Sequence, residues 1–171
     1  MQSSPNTDFE YCPQCAGRLN RRGVKAGEPP RLVCVSCRFI LYENPNVAAG
    51  TICRLEGGIV LLKRGIEPGY GKWVFPGGFI DRGESVEDGA VRETREEVNL
   101  EVRIESLLNV YSYPHHPIVV IVYTAEIMGG DLKAGDESLE VSLFSPRKIP
   151  WNNLAFPSTH EALSEYIKKY P

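Results

Sequence analysis

Two pairs of cysteines constrain the N-terminal part of the chain more than any other feature does. Within each pair two residues separate the cysteines, and eighteen residues lie between the pairs. Zinc prefers four soft ligands in a tetrahedron, and two tight turns can each supply two thiolates. Paired disulfides are the alternative, but nothing in the sequence indicates an oxidising compartment. The pattern predicts a closed, structural zinc site made of Cys12, Cys15, Cys34 and Cys37.

The cysteine pairs also predict how the chain is divided. Residues 9–42 are too few to build a core alone, so the metal is predicted to hold them together as a small ribbon. The sequence YENPN marks the end of this ribbon, and a larger domain is predicted over residues 46–171. Cys53, the fifth cysteine, lies in an apolar run and is predicted to be a small buried hydrophobic residue.

Composition and hydropathy exclude several classes of protein. With 42% hydrophobic and 24% charged residues, the chain has the composition of a globular protein. Its longest apolar run, Ile118 to Tyr123, is too short to cross a bilayer. The sequence MQSSPNTDFE lacks the basic and apolar regions of a secretory signal. We therefore expect a cytoplasmic protein with no membrane partner.

A helix is predicted over residues 85–98, in the middle of the larger domain. The buried face of this helix is predicted from three residues at helical spacing, Val91, Thr94 and Val98. Ser85 is a residue type that caps helix N-termini, and Asn99 tolerates the backbone conformation in which helices end. The segment STHEALSEYIKKY predicts a second helix at the end of the chain, beginning at Ser158 or Thr159.

Most of the remaining segments are predicted to be strands. Apolar runs on either side of Gly57-Gly58 predict a hairpin, because two glycines tolerate the turn that it needs. The sequence WVF predicts a short strand that the following PGG ends. VRIESLLNVYSY and IVVIVYTAEI predict two long strands joined by the turn PHHP, and LEVSLF predicts another strand. The chain is therefore expected to be an α/β protein.

The segment from Gly77 to Leu100 holds seven acidic side chains and three arginines. On the predicted helix, Glu93 precedes Glu96 by three residues and Glu97 by four, so the three carboxylates are neighbours on its surface. A solvated helix face tolerates such crowding. A site for hard divalent cations, which take carboxylate oxygens and retain water ligands, also accounts for it. The helix by itself does not decide between the two interpretations.

The loop before the helix favours the cation site. Gly77-Gly78 allows close approach of the backbone and leaves a carbonyl oxygen to face a cation. Glu84 stands where a carboxylate can orient the others. A site of this kind that holds Mg²⁺ or Mn²⁺ binds phosphate oxygens and lowers the pKa of a bound water. The residues therefore indicate hydrolysis of a diphosphate.

The spacing of these residues resembles the Nudix box, G-x5-E-x7-R-E-U-x-E-E-x-G-U, in which U is apolar. Thr94 stands where an aliphatic residue is usual, and Asn99 replaces the last glycine, but neither change removes a predicted metal ligand. The matching residues are Gly78, Glu84, Arg92, Glu93, Glu96, Glu97 and Leu100.

A zinc ribbon directly before a Nudix box limits the resemblance to the Nudix enzymes that carry such a ribbon. The chain resembles zinc-ribbon Nudix enzymes of the FAD and ADP-ribose pyrophosphatase kind, through YENPN, GKWVFPGGFIDRGES and ESLEVSLF followed by IPWNNLAFPS. It is less similar to the NADH pyrophosphatases, whose S-Q-P-W-P-F-P-x-S array is replaced here by VYSYPHHPIVV. The resemblance implies an α/β/α sandwich with a mixed sheet. It also implies metal-dependent hydrolysis of a dinucleotide or nucleoside diphosphate sugar, with FAD, ADP-ribose and NAD(H) as candidates.

The resemblance also implies roles for individual residues. Glu93 is implied to be a ligand or the base that takes a proton from water, and Glu84 and Arg92 are implied to hold the carboxylates in place. Glu140 is the additional glutamate expected outside the box, where an exposed strand residue is the alternative. Glu137, in the same polar stretch, is the second candidate for that role. The metal-binding set implied for Mg²⁺ or Mn²⁺ is Gly78, Glu93, Glu96, Glu97 and Glu140.

Three further residues, Arg64, Tyr111 and His115, are predicted to contact the substrate. For Arg64, which ends a strand, an ordinary surface arginine is the alternative. His115 and His116 are predicted to be solvated or substrate-facing rather than metal ligands. Consecutive strand side chains point to opposite faces, so two adjacent histidines do not readily share one metal. A small nucleotide is the predicted partner. Nucleic acid is not expected, and a homodimer is left open.

A non-catalytic nucleotide sensor, or a module that contacts RNA through the ribbon, is the alternative function. The ribbon segment carries six arginines and lysines, which is the feature that keeps RNA contact open. A sensor has no need of the box glutamates, whereas this chain retains all four of them. The sequence therefore favours an enzyme.

Overall fold

The structure is a computed structural model that describes residues 9–171, and the chain divides into two compact units. The first unit runs through Pro45 and includes His115–Pro117, and the second comprises Asn46–Pro114 and Ile118–Pro171. Residues 1–8, on which part of the secretory-signal expectation depends, lie outside the described residues. Within the described chain, no helix has the length and apolar character that a membrane crossing requires.

The first unit is a three-stranded antiparallel sheet with little apolar interior. Its strands are β1 (Leu19–Arg22), β2 (Arg31–Cys34) and β3 (Ile40–Leu41), in the order β1-β2-β3. Two of the four buried residues in its apolar cluster are cysteines. The complete buried cluster is Cys12, Leu19, Leu32 and Cys34. This unit therefore gains little stability from hydrophobic burial.

The second unit contains two sheets and two helices. One sheet has the order β8-β4-β10-β9, and it is mixed because β10 is parallel to β4 and antiparallel to β9. The other has the order β11-β6-β5, and β7 also pairs with β6. The elements are β4 (Asn46–Ile52), β5 (Arg54–Leu55), β6 (Gly58–Arg64), β7 (Trp73–Val74), β8 (Gly77–Phe79), α1 (Val86–Val98), β9 (Leu100–Ser112), β10 (Ile118–Gly130), β11 (Ser138–Phe144) and α2 (Pro157–Lys169).

Strand β6 lies at the centre of the second unit, because both of its faces are buried. Ile59 and Leu61 belong to an apolar cluster that includes Leu163 of α2. The alternate residues Val60 and Leu62 belong to a second cluster that contains Val98, the last residue of α1. Successive strand residues point to opposite faces, so the sheet is covered on both sides. The predicted α/β sandwich with a mixed sheet is confirmed.

The predicted hairpin around Gly57-Gly58 forms, but it is much shorter than the apolar runs suggested. Glu56 and Gly57 occupy the turn, with φ of 51° and 80°, and only β5 pairs across it with β6. The longer apolar run, β4, pairs with β10 and β8 in the other sheet. The alternation of apolar residues shows that a strand is buried, but it does not identify the strand's partner.

The segment after WVF also differs from its prediction. Gly77–Phe79 was predicted to end a strand, but it forms a strand of its own, β8. This strand pairs antiparallel with residues 48–50 of β4. This pairing anchors the glycine pair beside α1. The two glycines therefore serve as extended backbone at the edge of a sheet rather than as a turn alone.

The ends of the two helices differ in how well the sequence predicted them. Ser85 caps α1 by accepting the N–H of Asp88 at 3.1 Å, and Asn99 ends it with φ of 55°, as predicted. The predicted N-cap of α2 is wrong. Pro157 takes the first helical position, and no side chain caps that end. Proline suits this position because its missing N–H has no helical partner there in any case.

Candidate active site

Arg92 of α1 lies at the centre of a hydrogen-bonded network. Its Nε and Nη2 donate to the two carboxylate oxygens of Glu84 at 3.1 and 2.7 Å. Its Nη1 donates to Glu93 at 2.7 Å and to Glu96 at 3.0 Å. Nη2 also donates to the carbonyl oxygen of Phe79 in β8 at 3.0 Å. A guanidinium has five N–H groups, so Arg92 uses all of them and ties three carboxylates to β8.

The network changes the acidity of its members. Hydrogen bonds from Arg92, together with the backbone N–H of Asp81, lower the pKa of Glu84 to about 2. The same bonds to Glu84 and Glu93 raise the pKa of Arg92. This ion pair is therefore charged at any pH near neutrality, and it forms a fixed support for the carboxylates beside it.

Gly78 lies directly against the carboxylate of Glu93. A Cβ atom at position 78 would stand 2.5 Å from both Cδ and Oε2 of Glu93. Any other residue would displace this carboxylate, so the predicted close approach at the glycine pair is confirmed. Burial raises the pKa of Glu93, although its ion pair with Arg92 acts in the opposite direction.

Glu97 is more enclosed than the sequence indicated. It was expected on the exposed side of α1 with its neighbours, but the residue is only 8% exposed. The N–H of Gly77 donates to its carboxylate at 2.7 Å. Burial raises the pKa of Glu97 to about 7; the Gly77 bond opposes this and the neighbouring Glu93 adds to it. The missed signal is the spacing, because Glu97 follows the buried Thr94 by one helical turn.

A cavity of about 450 Å³ opens beside these glutamates. Its wall combines the last turns of α1 with the segment that precedes β11. Glu96 is the most open of the three box glutamates that line the cavity, with 57% of its side chain exposed. The lining residues are Glu93, Glu96, Glu97, Gly135, Asp136 and Glu137. The structure thus brings three predicted metal ligands together with Glu137, the second candidate for the additional glutamate.

Glu140 is not among the residues that line this cavity. It lies opposite Lys63 in the register of β11 and β6, and its Oε2 is 3.7 Å from the Lys63 ammonium nitrogen. Its side chain is 53% exposed. In this structure Glu140 therefore lies apart from the box glutamates, and its role as the additional glutamate stays a prediction. An irregularity in the pairing between Ser138 and Glu140, which the sequence did not reveal, precedes this position.

The carboxylates of the cavity suit a hard divalent cation that keeps part of its hydration. They line a wall and do not converge on one point. Among residues 9–171, no three carboxylates approach one another within 4.8 Å as the cysteines do. Mg²⁺ and Mn²⁺ accept carboxylate oxygens, and Mg²⁺ commonly retains several waters and shares phosphate oxygens with a substrate. The cavity has the ligand type and the space for this mode of binding.

The three residues predicted to contact substrate have contacts of other kinds. Arg64 donates from Nε to the carbonyl of Pro68 at 2.8 Å, and its guanidinium lies 5.2 Å from the centre of the Phe156 ring. Tyr111 is buried in the core, and its hydroxyl donates to Glu165 at 2.9 Å. His115 lies in the turn after β9 with φ of 65°. None of the three lines the cavity, and their contact with substrate stays a prediction.

The four cysteines of the ribbon form a compact cluster of sulfur atoms. Their Sγ atoms all lie within 4.8 Å of one another, and all four cysteines are free thiols. Cys12 and Cys37 are 3.7 Å apart, and Cys15 and Cys34 are 3.5 Å apart. A tetrahedral zinc with Zn–S bonds of about 2.3 Å places its sulfurs roughly 3.8 Å apart. The cluster is consistent with a zinc ribbon.

Known proteins resemble both parts of the chain. Residues 10–43 match the family described as Nudix N-terminal, and residues 44–166 match the NUDIX domain. The chain is 39% identical over 137 residues to the ADP-ribose pyrophosphatase of Methanocaldococcus jannaschii, covering 78% of this chain and 77% of that protein. The NAD-capped RNA hydrolase NudC of Pseudomonas fluorescens is 27% identical over 84% of this chain, which spans 50% of that protein.

Solved structures agree with the sequence matches. The crystal structure of a NUDIX hydrolase from Nitrosomonas europaea has a TM-score of 0.89 and 40% identity, and the match covers 95% of this chain and 92% of that one. The fold, the box residues and these matches together confirm the resemblance inferred from the sequence: this chain belongs to the Nudix hydrolase family.

Proposed function

We propose that this Nudix hydrolase cleaves the diphosphate linkage of ADP-ribose, in a reaction that requires Mg²⁺ or Mn²⁺. The observation that carries the proposal is the gathering of Glu93, Glu96, Glu97 and Glu137 around one cavity. The similarity to a protein named ADP-ribose pyrophosphatase supports the substrate. FAD and NAD(H) are the competing substrates, and the similarity to a protein named NAD-capped RNA hydrolase supports the second of them.

In this proposal, Glu96, Glu97 and the carbonyl of Gly78 hold the cation. A bound Mg²⁺ or Mn²⁺ neutralises phosphate charge and lowers the pKa of a water that it binds. Glu97 is held by the N–H of Gly77, so its carboxylate has one fixed orientation before any ligand arrives. Such preorganisation reduces the entropy lost when a substrate is aligned for reaction.

The proton of the attacking water goes to a carboxylate of the cavity. Glu93 and Glu137 are the two candidates, and burial raises the pKa of Glu93, which makes it a stronger base than an ordinary carboxylate. Water adds to one phosphorus, and the bond from that phosphorus to the bridging oxygen breaks. The bridging oxygen leaves with the other phosphate, so ADP-ribose gives AMP and ribose 5-phosphate.

Arg92 and Glu84 act as positioning residues in this proposal. All five N–H groups of Arg92 donate to protein oxygens, so the guanidinium fixes the carboxylates and does not contact the phosphates. Glu84 accepts two of these bonds and also the N–H of Asp81 at 2.7 Å. The pair thereby links the loop before α1 to the middle of the helix.

We also propose that the cysteine cluster holds one Zn²⁺ with a structural role. Four thiolates fill a tetrahedral zinc and leave no open position for a substrate or water. Two backbone N–H groups, those of Gln14 and Cys37, lie 3.4 Å from the sulfurs of Cys12 and Cys34. These bonds stabilise negative charge on the sulfurs, as zinc coordination requires.

The test is hydrolysis of ADP-ribose, FAD, NAD⁺ and NADH by the purified full chain. Each reaction is run with Mg²⁺, with Mn²⁺ and with EDTA, and the products are identified by mass. Reaction in ¹⁸O-labelled water shows which phosphorus accepts the water. We expect AMP and ribose 5-phosphate from ADP-ribose only when a divalent cation is present. Full activity in EDTA would exclude the metal requirement, and nucleotide binding without turnover would favour the sensor alternative.

A further inference from the structure

The segment of residues 131–137, here called the cavity segment, carries Glu137 to the glutamates of α1 and lies along the end of that helix. The last carbonyls of a helix have no partner within it. Here the N–H of Lys133 donates to the carbonyl of Val98 at 3.1 Å, and the N–H of Gly135 donates to the carbonyl of Glu97 at 2.9 Å. The cavity segment therefore completes the hydrogen bonding of the helix end.

Contact between the cavity segment and the helix is close at Gly135. A Cβ atom there would stand 1.9 Å from the carbonyl oxygen of Glu96. The far end of the segment is held by the N–H of Gly65, which donates to the carbonyl of Glu137 at 2.7 Å. The middle and the far end of the segment are thus fixed by its backbone.

Asn99 fixes the near end of the same segment. It ends α1 in the left-handed conformation, with φ of 55° and ψ of 33°. Its side-chain Nδ2 donates to the carbonyl oxygen of Asp131, the first residue of the cavity segment, at 2.8 Å. The box pattern has glycine at this position. Glycine adopts the same backbone conformation more easily, but it has no side-chain donor.

We propose that Asn99 is a positioning residue for Glu137, acting through the cavity segment. The inference rests on the proposed function, in which Glu137 acts at the diphosphate. The amide of Asn99 holds the start of the segment against α1, so Glu137 enters the cavity on a backbone fixed at both ends. One hydrogen bond of this kind shifts the balance between held and released states by roughly five- to tenfold.

The variant that tests this is Asn99→Gly, which keeps the left-handed helix end and removes only the amide. We expect kcat for ADP-ribose to fall about five- to tenfold while KM changes less than twofold, because small misplacements of reacting groups lower rates. Asn152→Gly, at an exposed asparagine, is the matched control and should change neither constant.

A double-mutant cycle separates positioning from a general loss of stability. If Asn99 acts through Glu137, adding Asn99→Gly to Glu137→Gln should lower kcat no further. Wild-type kcat in Asn99→Gly, or the same fold-loss in both backgrounds, would overturn the inference.

Hydrogen exchange provides a readout that does not depend on activity. In Asn99→Gly the amides of Lys133 and Gly135 should exchange several-fold faster, with the middle of α1 unchanged. Unchanged exchange in the cavity segment would overturn the inference even if no substrate has been found. Failure of the wild type to hydrolyse any diphosphate would instead refute the proposed function, and the exchange result would still decide the role of Asn99.

Discussion

The ribbon and the cavity each bring together several side chains of one ligand type, four thiols in the ribbon and five carboxylates in the cavity, but they do so in different ways. In the ribbon, four sulfurs approach one another within 4.8 Å, and the described part of that unit buries only four apolar residues. In the cavity, five carboxylates line about 450 Å³ of space on a unit with large apolar clusters around β6. On the proposed function, the ribbon would depend on a bound zinc for folding, whereas protein groups hold the cavity glutamates in place without a cation.

The partners of the two ligand sets explain this difference. Glu93 and Glu96 already have the guanidinium of Arg92, and Glu97 has the N–H of Gly77. These partners hold the carboxylates in place without an ion, although burial raises the pKa of Glu93 and Glu97. The cysteine sulfurs have mainly one another and two backbone N–H groups at 3.4 Å. Removing Mg²⁺ or Mn²⁺ should therefore stop the reaction in the cavity without unfolding it, whereas removing zinc should unfold the ribbon.

The largest expected effect is loss of zinc from the ribbon. In Cys34→Ser, amides of residues 9–45 should exchange at rates close to those of an unfolded chain, because structural zinc contributes roughly 10–16 kcal/mol to folding of such small modules. Amides of α1 and β6 should remain protected. Hydrogen-exchange mass spectrometry and zinc analysis measure both results. Cys53→Ser is the control and should retain zinc, since Cys53 lies outside the cluster. Slow exchange of the ribbon amides in zinc-free protein would show that the ribbon folds without its metal.

The second effect is on rate without folding. Glu97→Gln should lower kcat about a thousandfold, which corresponds to about 4 kcal/mol of transition-state stabilisation. The glutamine oxygen can still accept the N–H of Gly77, so the melting temperature should change by only a few degrees. The exposed Glu101→Gln on β9 is the matched control. A large drop in melting temperature, or activity close to wild type, would show that Glu97 is a structural residue.

A smaller effect distinguishes the two acidic residues near the start of β11. Glu137→Gln should reduce kcat roughly ten- to a hundredfold, as expected when a proton acceptor or ligand is lost from the cavity. Glu140→Gln should change kcat less than twofold, because Glu140 pairs with Lys63 on an exposed strand. Steady-state kinetics with ADP-ribose compares the two variants directly. The opposite ranking would return the role to Glu140.

The smallest expected effect concerns the buried pair Thr51 and Thr94, whose hydroxyl oxygens are 2.8 Å apart. Thr94→Val should lower the free energy of unfolding of the second unit by about 1–2 kcal/mol, because it leaves the Thr51 hydroxyl without this partner. Adding Thr51→Val should recover part of the loss. Urea denaturation measures both variants, and kcat and zinc content should stay unchanged. Equal stability of Thr94→Val and wild type would show that the pair contributes nothing.

Much of the site could be predicted because its residues lie close together in the sequence. Box spacing placed Glu93, Glu96 and Glu97 on one helix, and the glycine pair beside them, where a Cβ at Gly78 would meet Glu93. The spacing from Thr94 places Glu97 next to the buried face of α1, but its burial was missed because it also depends on β8, which was not predicted. Glu137 was only the second candidate, and the backbone bonds to the end of α1 that carry its segment to the cavity are not encoded in any local pattern.

The fold shows the same division between local and distant determinants. The ends of α1 were predicted from Ser85 and Asn99, whose effects act within a few residues. The pairing of β4 with β10 joins residues about seventy positions apart, and alternation of apolar residues does not specify such a partner. The departures from the box pattern also became interpretable only in the structure, since the hydroxyl of Thr94 reaches Thr51 and the amide of Asn99 reaches Asp131.

All five N–H groups of Arg92 donate to protein oxygens, so the activity of the enzyme would depend on the ions in the solution around it. Its single positive charge is shared among Glu84, Glu93 and Glu96, and no N–H group remains for a phosphate. Together with Glu97 and Glu137, the site carries more negative charge than Arg92 alone neutralises. On the proposed function, bound Mg²⁺ or Mn²⁺ supplies much of the positive charge that Arg92 does not. The output of the enzyme would then follow the free concentration of Mg²⁺ or Mn²⁺, even when nucleotide is abundant.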